Sequence, residues 1–320
     1  MPAQRKVLAR RTRQQRKIDR NSLGKLRAQI VQPATLARYR HAVFTFLDSC
    51  HNQSLVVPSS FIALDSLVSD FICVAWGEGE ARSLIGDLIS GLGNFIPASK
   101  PHFAGSWRLH GAWGRAELPC RAVPFTPPLV YGLAARAISF DWVDTAVLMV
   151  LGFSCFPRSG ELFYATKGNF EFSTDAKKGV WSLPLTKSGQ RTGAKEALTL
   201  EDPWVISLLI NYTKSLMPGD RLCRTTPGIQ RKRLEELLRL AKIEGNFKWY
   251  SLRRGGATHH FRKYNNMSRT CLMGRWGNER TARIYITDAL AMLTEITLSA
   301  KVKQSLRAGA LKVRPNFDDI

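Results

Sequence analysis

A chain of 320 residues with a formal net charge of +22 repels itself unless an acidic partner neutralises it. Nucleic acid is the commonest such partner and an anionic membrane surface the next. With 44 % hydrophobic residues the chain can build a packed core, and its length suits two domains, so wholesale disorder is excluded.

The first 28 residues form a basic arm in which Asp19 is the only acid. Such an arm is a flexible solvated tail, a strand that tracks a DNA backbone, or a nuclear address; an Arg-rich organelle transit peptide is a further reading. It lacks the apolar core of a secretory signal.

Helical periodicity begins at Pro33, with Leu36, Tyr39, Val43 and Phe46 on one face and Arg38 and Arg40 interleaved. The pattern predicts a second helix over 66–76 behind an Asp65 cap, a third over 80–95 and a short one over 107–114. Gly86, Gly91 and Gly93 weaken the third helix and point to close helix packing. The stretch "ELPCRAVPFTPP" carries four prolines and cannot continue a helix, so it marks a domain boundary.

Helices are expected again over 128–138 and 142–156. The run "TAVLMVLGFSCFP" within the second is too short to span a bilayer and fits a buried helix, so no membrane partner is expected. "VWSLPLTKSGQRTGAKEALTL" reads as a β-hairpin around a Lys/Gly/Ser-rich turn. Helices resume over 203–215 and 229–243, and the tail from Asp288 to Val313 has helical periodicity.

Cys50, Cys73, Cys120, Cys155, Cys223 and Cys271 are scattered, without a C-x-x-C pair. A disulfide framework is not expected, and a reducing intracellular setting is. No His, Asp, Glu or Cys grouping has metal-ligand spacing, and adjacent His259 and His260 diverge on a helix, so neither a metal nor another cofactor is expected.

Four segments carry candidate chemistry. In "GFSCFPRSGELF" a buried helix ends at Pro157 and Arg158 follows, with Glu161 three residues on. A guanidinium there needs a partner; Glu161 as a structural pair is the default and an anionic ligand the alternative. Lys187 stands at the hairpin tip, where a solvated loop charge is usual. "WYSLRRGGATHHF" sets Tyr250 three residues before Arg253, with Arg254 and two glycines behind it. "GRWGNERTARIYITD" holds Arg275 and Trp276, and Tyr285 stands nine residues after Trp276. Taken singly, each aromatic reads as core.

Taken in order, the four segments resemble the active-site boxes of the tyrosine recombinases, the phage-integrase-like family that shares its chemistry with the type IB topoisomerases. "FPRSGEL" supplies the first arginine, Arg158, and Glu161; "LTKSG" supplies the hairpin lysine, Lys187; "YSLRRGG" supplies the second arginine, Arg253. Trp276 and Tyr285 match the family's His-or-Trp and nucleophile. The resemblance implies a mainly α fold: residues 1–28 as the arm, a helical core-binding (SAM-like) domain over 29–118, and an α+β catalytic domain with a small sheet over 119–320.

The function so implied is site-specific recombination or integration of double-stranded DNA through a 3′-phosphotyrosyl intermediate, in a divergent eukaryotic or mobile-element protein. Tyr285 would be the nucleophile. Arg158 and Arg253 would hold the phosphate, Lys187 would protonate the leaving oxygen, and Trp276 would buttress the tyrosine. Arg38, Arg40, Arg254 and Arg275 are expected on DNA, with Arg254 facing either backbone phosphate or a structural carboxylate. A DNA-bound homotetramer, and a nuclear location in a eukaryote, follow from the resemblance only. Tyr250 departs from it, standing where the family has histidine. A phenol donates hydrogen bonds but is a weak base near pH 7. The competing expectation is therefore a weakened or silent DNA-binding protein of the same fold, a domesticated mobile-element protein.

Overall fold

The computed structural model describes residues 12–118, 120–183 and 196–316. The chain divides into two compact units, Met1–Pro119 and Cys120–Ile320.

In the first unit, part of the basic arm is helical. α1 (Arg13–Leu23) starts where the Thr12 hydroxyl accepts the Gln15 N–H at 3.2 Å. α2 (Pro33–Asn52) opens on a proline, whose fixed φ suits a first helical turn. α3 (Phe61–Gly77), α4 (Arg82–Phe95) and α5 (Ala104–Ala116) complete the unit. Their apolar faces meet in one core that includes Phe46, Val68, Ile72, Ile85, Leu88 and Trp113. A side chain at Gly91 would come within 3.2 Å of the Tyr39 carbonyl, so this glycine sets how closely α4 approaches α2.

Asp65 does not cap α3, which begins a turn earlier. It sits inside α3, and its carboxylate accepts the Gly105 and Ser106 N–H groups, both at 2.9 Å. The carboxylate thus satisfies the amino end of α5 from a neighbouring helix, a tertiary cap that local spacing does not reveal.

The second unit is built on α6 (Pro127–Ser139) and α7 (Val143–Ser154). α7 is buried along nearly its whole length, as its apolar run requires. Its one acid, Asp144, is compensated by Arg233 at 2.7 Å, Gln230 at 2.9 Å and the Arg224 N–H at 3.1 Å. The short α8 (Ser159–Phe163) follows. Then comes an antiparallel sheet in the order β1 (Phe170–Phe172), β2 (Gly179–Leu183), β3 (Glu196–Leu200). Trp181 of β2 pairs with Phe170 and Leu198 and is wholly buried. β2 and β3 are the arms of the expected hairpin; β1 is too short to signal itself in the sequence.

α9 (Pro203–Thr213), α10 (Pro227–Leu240), α11 (Trp249–Tyr264), α12 (Met267–Gly274) and α13 (Glu279–Arg283) come next. The C-terminal stretch is two helices, α14 (Asp288–Thr297) and α15 (Ala300–Val313). The chain breaks at Leu298 in extended conformation, and the Ser299 hydroxyl caps α15. α15 lies on α6, where a side chain at Gly132 would meet the Leu306 carbonyl at 2.7 Å.

Among the described residues no helix is long and apolar enough to cross a membrane, and no group of three or more His, Cys, Asp or Glu is placed to hold a metal ion.

Candidate active site

The site is assembled on α11, which two glycines drive into the fold. A Cβ at Gly255 would lie 2.0 Å from the Phe125 carbonyl oxygen, and one at Gly256 would lie 2.0 Å from that of Phe153. Only hydrogen fits at either place. The helix therefore packs directly on the approach to α6 and the end of α7, which carries Arg253 and Arg254 inward to 2 % and 3 % exposure.

Arg253 bridges two turns. Its Nη1 donates to the Phe156 carbonyl at 2.6 Å and its Nη2 to the Gly274 carbonyl at 2.7 Å. Phe156 has φ +33° and Arg275, next to Gly274, has φ +55°. Left-handed conformations are unfavourable for such residues, and the Arg253 bonds help to offset that cost. The guanidinium also lies 4.7 Å from the centre of the Trp276 ring and 5.3 Å from that of Tyr285. Burial, with the Arg158 charge nearby, pushes its pKa down to about 10.

Arg158 stands at the start of α8. Its backbone N–H donates to Glu161 Oε2 at 2.8 Å and its Nη1 to Glu161 Oε1 at 3.0 Å; Glu196, the first residue of β3, is 3.9 Å away. Arg275 completes the network, reaching Glu161 and Glu196 at 2.5 Å each. Burial works to raise the Glu161 pKa, but the Arg275 and Arg158 contacts outweigh it and hold the carboxyl below its usual range. The Arg275 guanidinium is 9 % exposed and committed to two carboxylates, which is a different setting from the DNA-facing one expected for it.

Tyr285 follows α13, where its N–H donates to the Ala282 carbonyl at 2.8 Å. Its ring lies 4.7 Å from Trp276, which in turn stacks on Phe156 at 6.0 Å. Tyr250, on the first turn of α11, places its hydroxyl 2.6 Å from the Tyr285 hydroxyl. The two phenols are driven apart. Burial, reinforced by the hydrogen bond and charge of Tyr285, raises Tyr250 well above the ordinary phenol range. Burial also works to raise Tyr285, but the Tyr250 hydrogen bond and the Arg253 and Arg158 charges reverse this and lower its pKa. Tyr250 is thus the donor of the pair, and the Tyr285 oxygen is the one prepared to carry negative charge.

The structure therefore gathers Arg158, Tyr250, Arg253, Arg254, Trp276 and Tyr285 in one place within the second unit. Lys187 lies outside the described residues. Arg38 and Arg40 are exposed on α2 of the first unit, where Arg38 sits 3.6 Å from Asp87. His259 and His260 line a cavity of about 350 Å3 with Tyr131, Asp202, Lys263 and Arg314. Burial pushes both imidazoles down to about 4.

Sequence reasoning missed two supports. The Thr258 hydroxyl accepts the Thr287 N–H at 3.1 Å and donates to the Arg254 carbonyl at 2.9 Å, tying the segment after Tyr285 to α11. Glu196 supplies the second carboxylate of the Arg275 network. Thr258 stands on the Arg253 helix and so had a weak signal; Glu196 is placed by sheet register alone.

No protein-family model matches the chain, and no curated protein does. Solved structures similar to it include the XerH site-specific recombinase bound to palindromic difH substrate in a post-cleavage complex, at 14 % identity and TM-score 0.44 over 71 % of this chain and 75 % of that one. XerH in its pre-cleavage complex matches at 15 % identity and TM-score 0.42, over 74 % of this chain and 78 % of that one. XerA recombinase matches at 13 % identity and TM-score 0.42, over 85 % of this chain and 95 % of that one.

Proposed function

We propose that this protein is a tyrosine-type DNA strand transferase, a site-specific recombinase or integrase. The observation that carries this reading is the setting of the Tyr285 phenol, which accepts a 2.6 Å hydrogen bond from Tyr250 with the Arg253 guanidinium 5.3 Å from its ring centre and Trp276 against its face. A free phenol with a pKa of about 10 is a poor nucleophile at neutral pH, and this setting answers that deficiency.

In the reaction the Tyr285 oxygen, having lost its proton to solvent, attacks a phosphodiester phosphorus. The bond from phosphorus to the 5′-oxygen breaks, a 3′-phosphotyrosyl link forms, and the leaving oxygen takes up a proton. The new link keeps the bond energy, so rejoining needs no nucleotide cofactor. Arg158 and Arg253 stabilise the charge that grows on the non-bridging oxygens, and Trp276 holds the tyrosine ring in place. By resemblance Lys187 delivers the proton to the 5′-oxygen. The +22 net charge supplies salt-sensitive affinity for duplex DNA, and a tetramer on DNA is the assembly that suits strand exchange.

A second reading, a silent DNA-binding protein of this fold, is favoured by one observation. Each terminal nitrogen of Arg253 already donates one of its two N–H groups to a backbone carbonyl, which gives this arginine a structural role as well.

The test is a duplex library carrying nicks that let the released 5′ fragment diffuse away, incubated with the protein in EDTA. An active strand transferase leaves a covalent protein–DNA adduct, lost in Tyr285→Phe. An adduct that survives Tyr285→Phe sinks the assignment of the nucleophile. Duplex binding without an adduct favours the silent reading.

A further inference from the structure

Arg254 is the second arginine of the "RRGG" stretch, and its environment differs from that of the other arginines in its unit. Arg253 has two carbonyl acceptors, Arg275 has two carboxylates, and Arg233 has Asp144. Arg254 is 3 % exposed, and among the described residues neither its Nε nor its Nη2 meets an acceptor. The groups that act on it are another cation, Arg121, and the phenols of Tyr250 and Tyr285. An enclosed guanidinium with idle donors and a like charge beside it is expensive, because its lost hydration is not replaced.

The expense has a use if an anion completes the site. Each Nη of Arg253 already donates one bond to a backbone carbonyl, and Arg158 donates to Glu161. Arg254, next to the phenols, is the guanidinium with two nitrogens, Nε and Nη2, that meet no acceptor among the described residues. Its fork matches the paired oxygens of a phosphodiester, which accept two parallel N–H bonds. Arg121, exposed at the start of the unit, adds positive charge on the same side.

We infer that Arg254 is a third phosphate-binding guanidinium of this site, receiving the non-bridging oxygens of a nucleic-acid phosphodiester alongside Arg158 and Arg253. This rests on the strand-transfer reading, and it assigns to Arg254 an anion that the described residues do not supply. It also accounts for paired arginines ahead of the two glycines: Arg253 ties the fold together as well as facing the phosphate, and Arg254 serves the phosphate.

The experiment uses the full chain as wild type, Arg254→Met and Arg254→Lys. Binding to a fluorescent duplex of mixed sequence is followed by anisotropy across a potassium chloride series, and urea unfolding is followed in parallel. Arg254→Met is expected to bind roughly tenfold more weakly, with the slope of log affinity against log salt reduced by about 1. Arg254→Lys should keep the slope and lose part of the affinity, since it retains the charge but not the fork. The urea midpoint of Arg254→Met should equal or exceed that of wild type, because an uncompensated charge has been replaced by an apolar side chain.

Unchanged affinity and slope in Arg254→Met, with wild-type binding intact, overturn the inference. A lower urea midpoint in Arg254→Met also overturns it, by making the charge structural. A wild type that does not bind duplex at all sinks the strand-transfer reading itself.

Discussion

The Tyr250 hydroxyl donates to the Tyr285 hydroxyl at 2.6 Å, and the two phenols carry opposite shifts. Tyr250 occupies the histidine position of the resemblance, and it bonds directly to Tyr285, the proposed nucleophile. Replacing it with Phe removes the donor and returns the Tyr285 pKa toward its ordinary value. Cleavage near pH 7 should fall about 10- to 100-fold, the worth of a hydrogen bond to a charged group. The rising limb of the pH–rate profile should move to higher pH, because Tyr285 then ionises later. Adduct formation rates measured from pH 6 to about 10 read both effects, and an unshifted limb in Tyr250→Phe would refute the role.

Arg275 separates a structural from a DNA-facing role. With Arg275→Met, Glu161 and Glu196 lose their shared guanidinium at 2.5 Å contacts and face each other beside Arg158. Breaking a buried pair in this way costs about 3–5 kcal/mol. Urea unfolding should show the loss, while the double change Arg275→Met with Glu196→Gln should recover part of it. The salt slope of duplex binding should not change.

The glycine pair on α11 gives the sharpest packing test. Gly255→Ala and Gly256→Ala each place a methyl 2.0 Å from a carbonyl oxygen of rigid backbone. Neither neighbour is the end of a flexible side chain, so the helix must move. Each change should destabilise the second unit by about 3 kcal/mol or more, or prevent folding. By contrast Gly160→Ala meets nothing within 4 Å and should be tolerated.

Acid should weaken the second unit through His259. Burial holds its folded pKa near 4, against 6.5 for an ordinary imidazole. The unfolded chain binds the proton first, so the stability contributed by the neutral ring is complete above about pH 6.5 and is lost as pH falls toward 4. The loss is of the order of 3 kcal/mol. Urea midpoints of wild type and His259→Gln between pH 4 and 7 test this: the variant should show the shallower dependence.

What the sequence revealed, it revealed through periodicity and punctuation. Proline at the starts of α2, α6, α9 and α10 and the apolar run of α7 mark elements that the structure contains. Relationships set by tertiary packing were not readable. Asp65 looked like a local cap and instead serves α5; the C-terminal tail looked continuous and breaks at Leu298. The spacing of the boxes named Arg158, Tyr250, Arg253, Trp276 and Tyr285, but not what each side chain touches. No spacing rule places one phenol against another across 35 residues, nor Glu196 against Arg275 across 79.

The two bonds from Arg253 to the Phe156 and Gly274 carbonyls bear on how related sequences should be read. An arginine that fastens two left-handed turns is retained by selection for folding alone. A lineage that had stopped cutting DNA would still keep it, together with the Gly255–Gly256 pair that carries its helix inward. Tyr285 has no such backbone partner for its hydroxyl among the described residues; that oxygen bonds to the Tyr250 side chain. On the strand-transfer reading, the phenylalanines that replace Tyr285 in a set of descendants would therefore date the loss of cleavage, and the arginines would not.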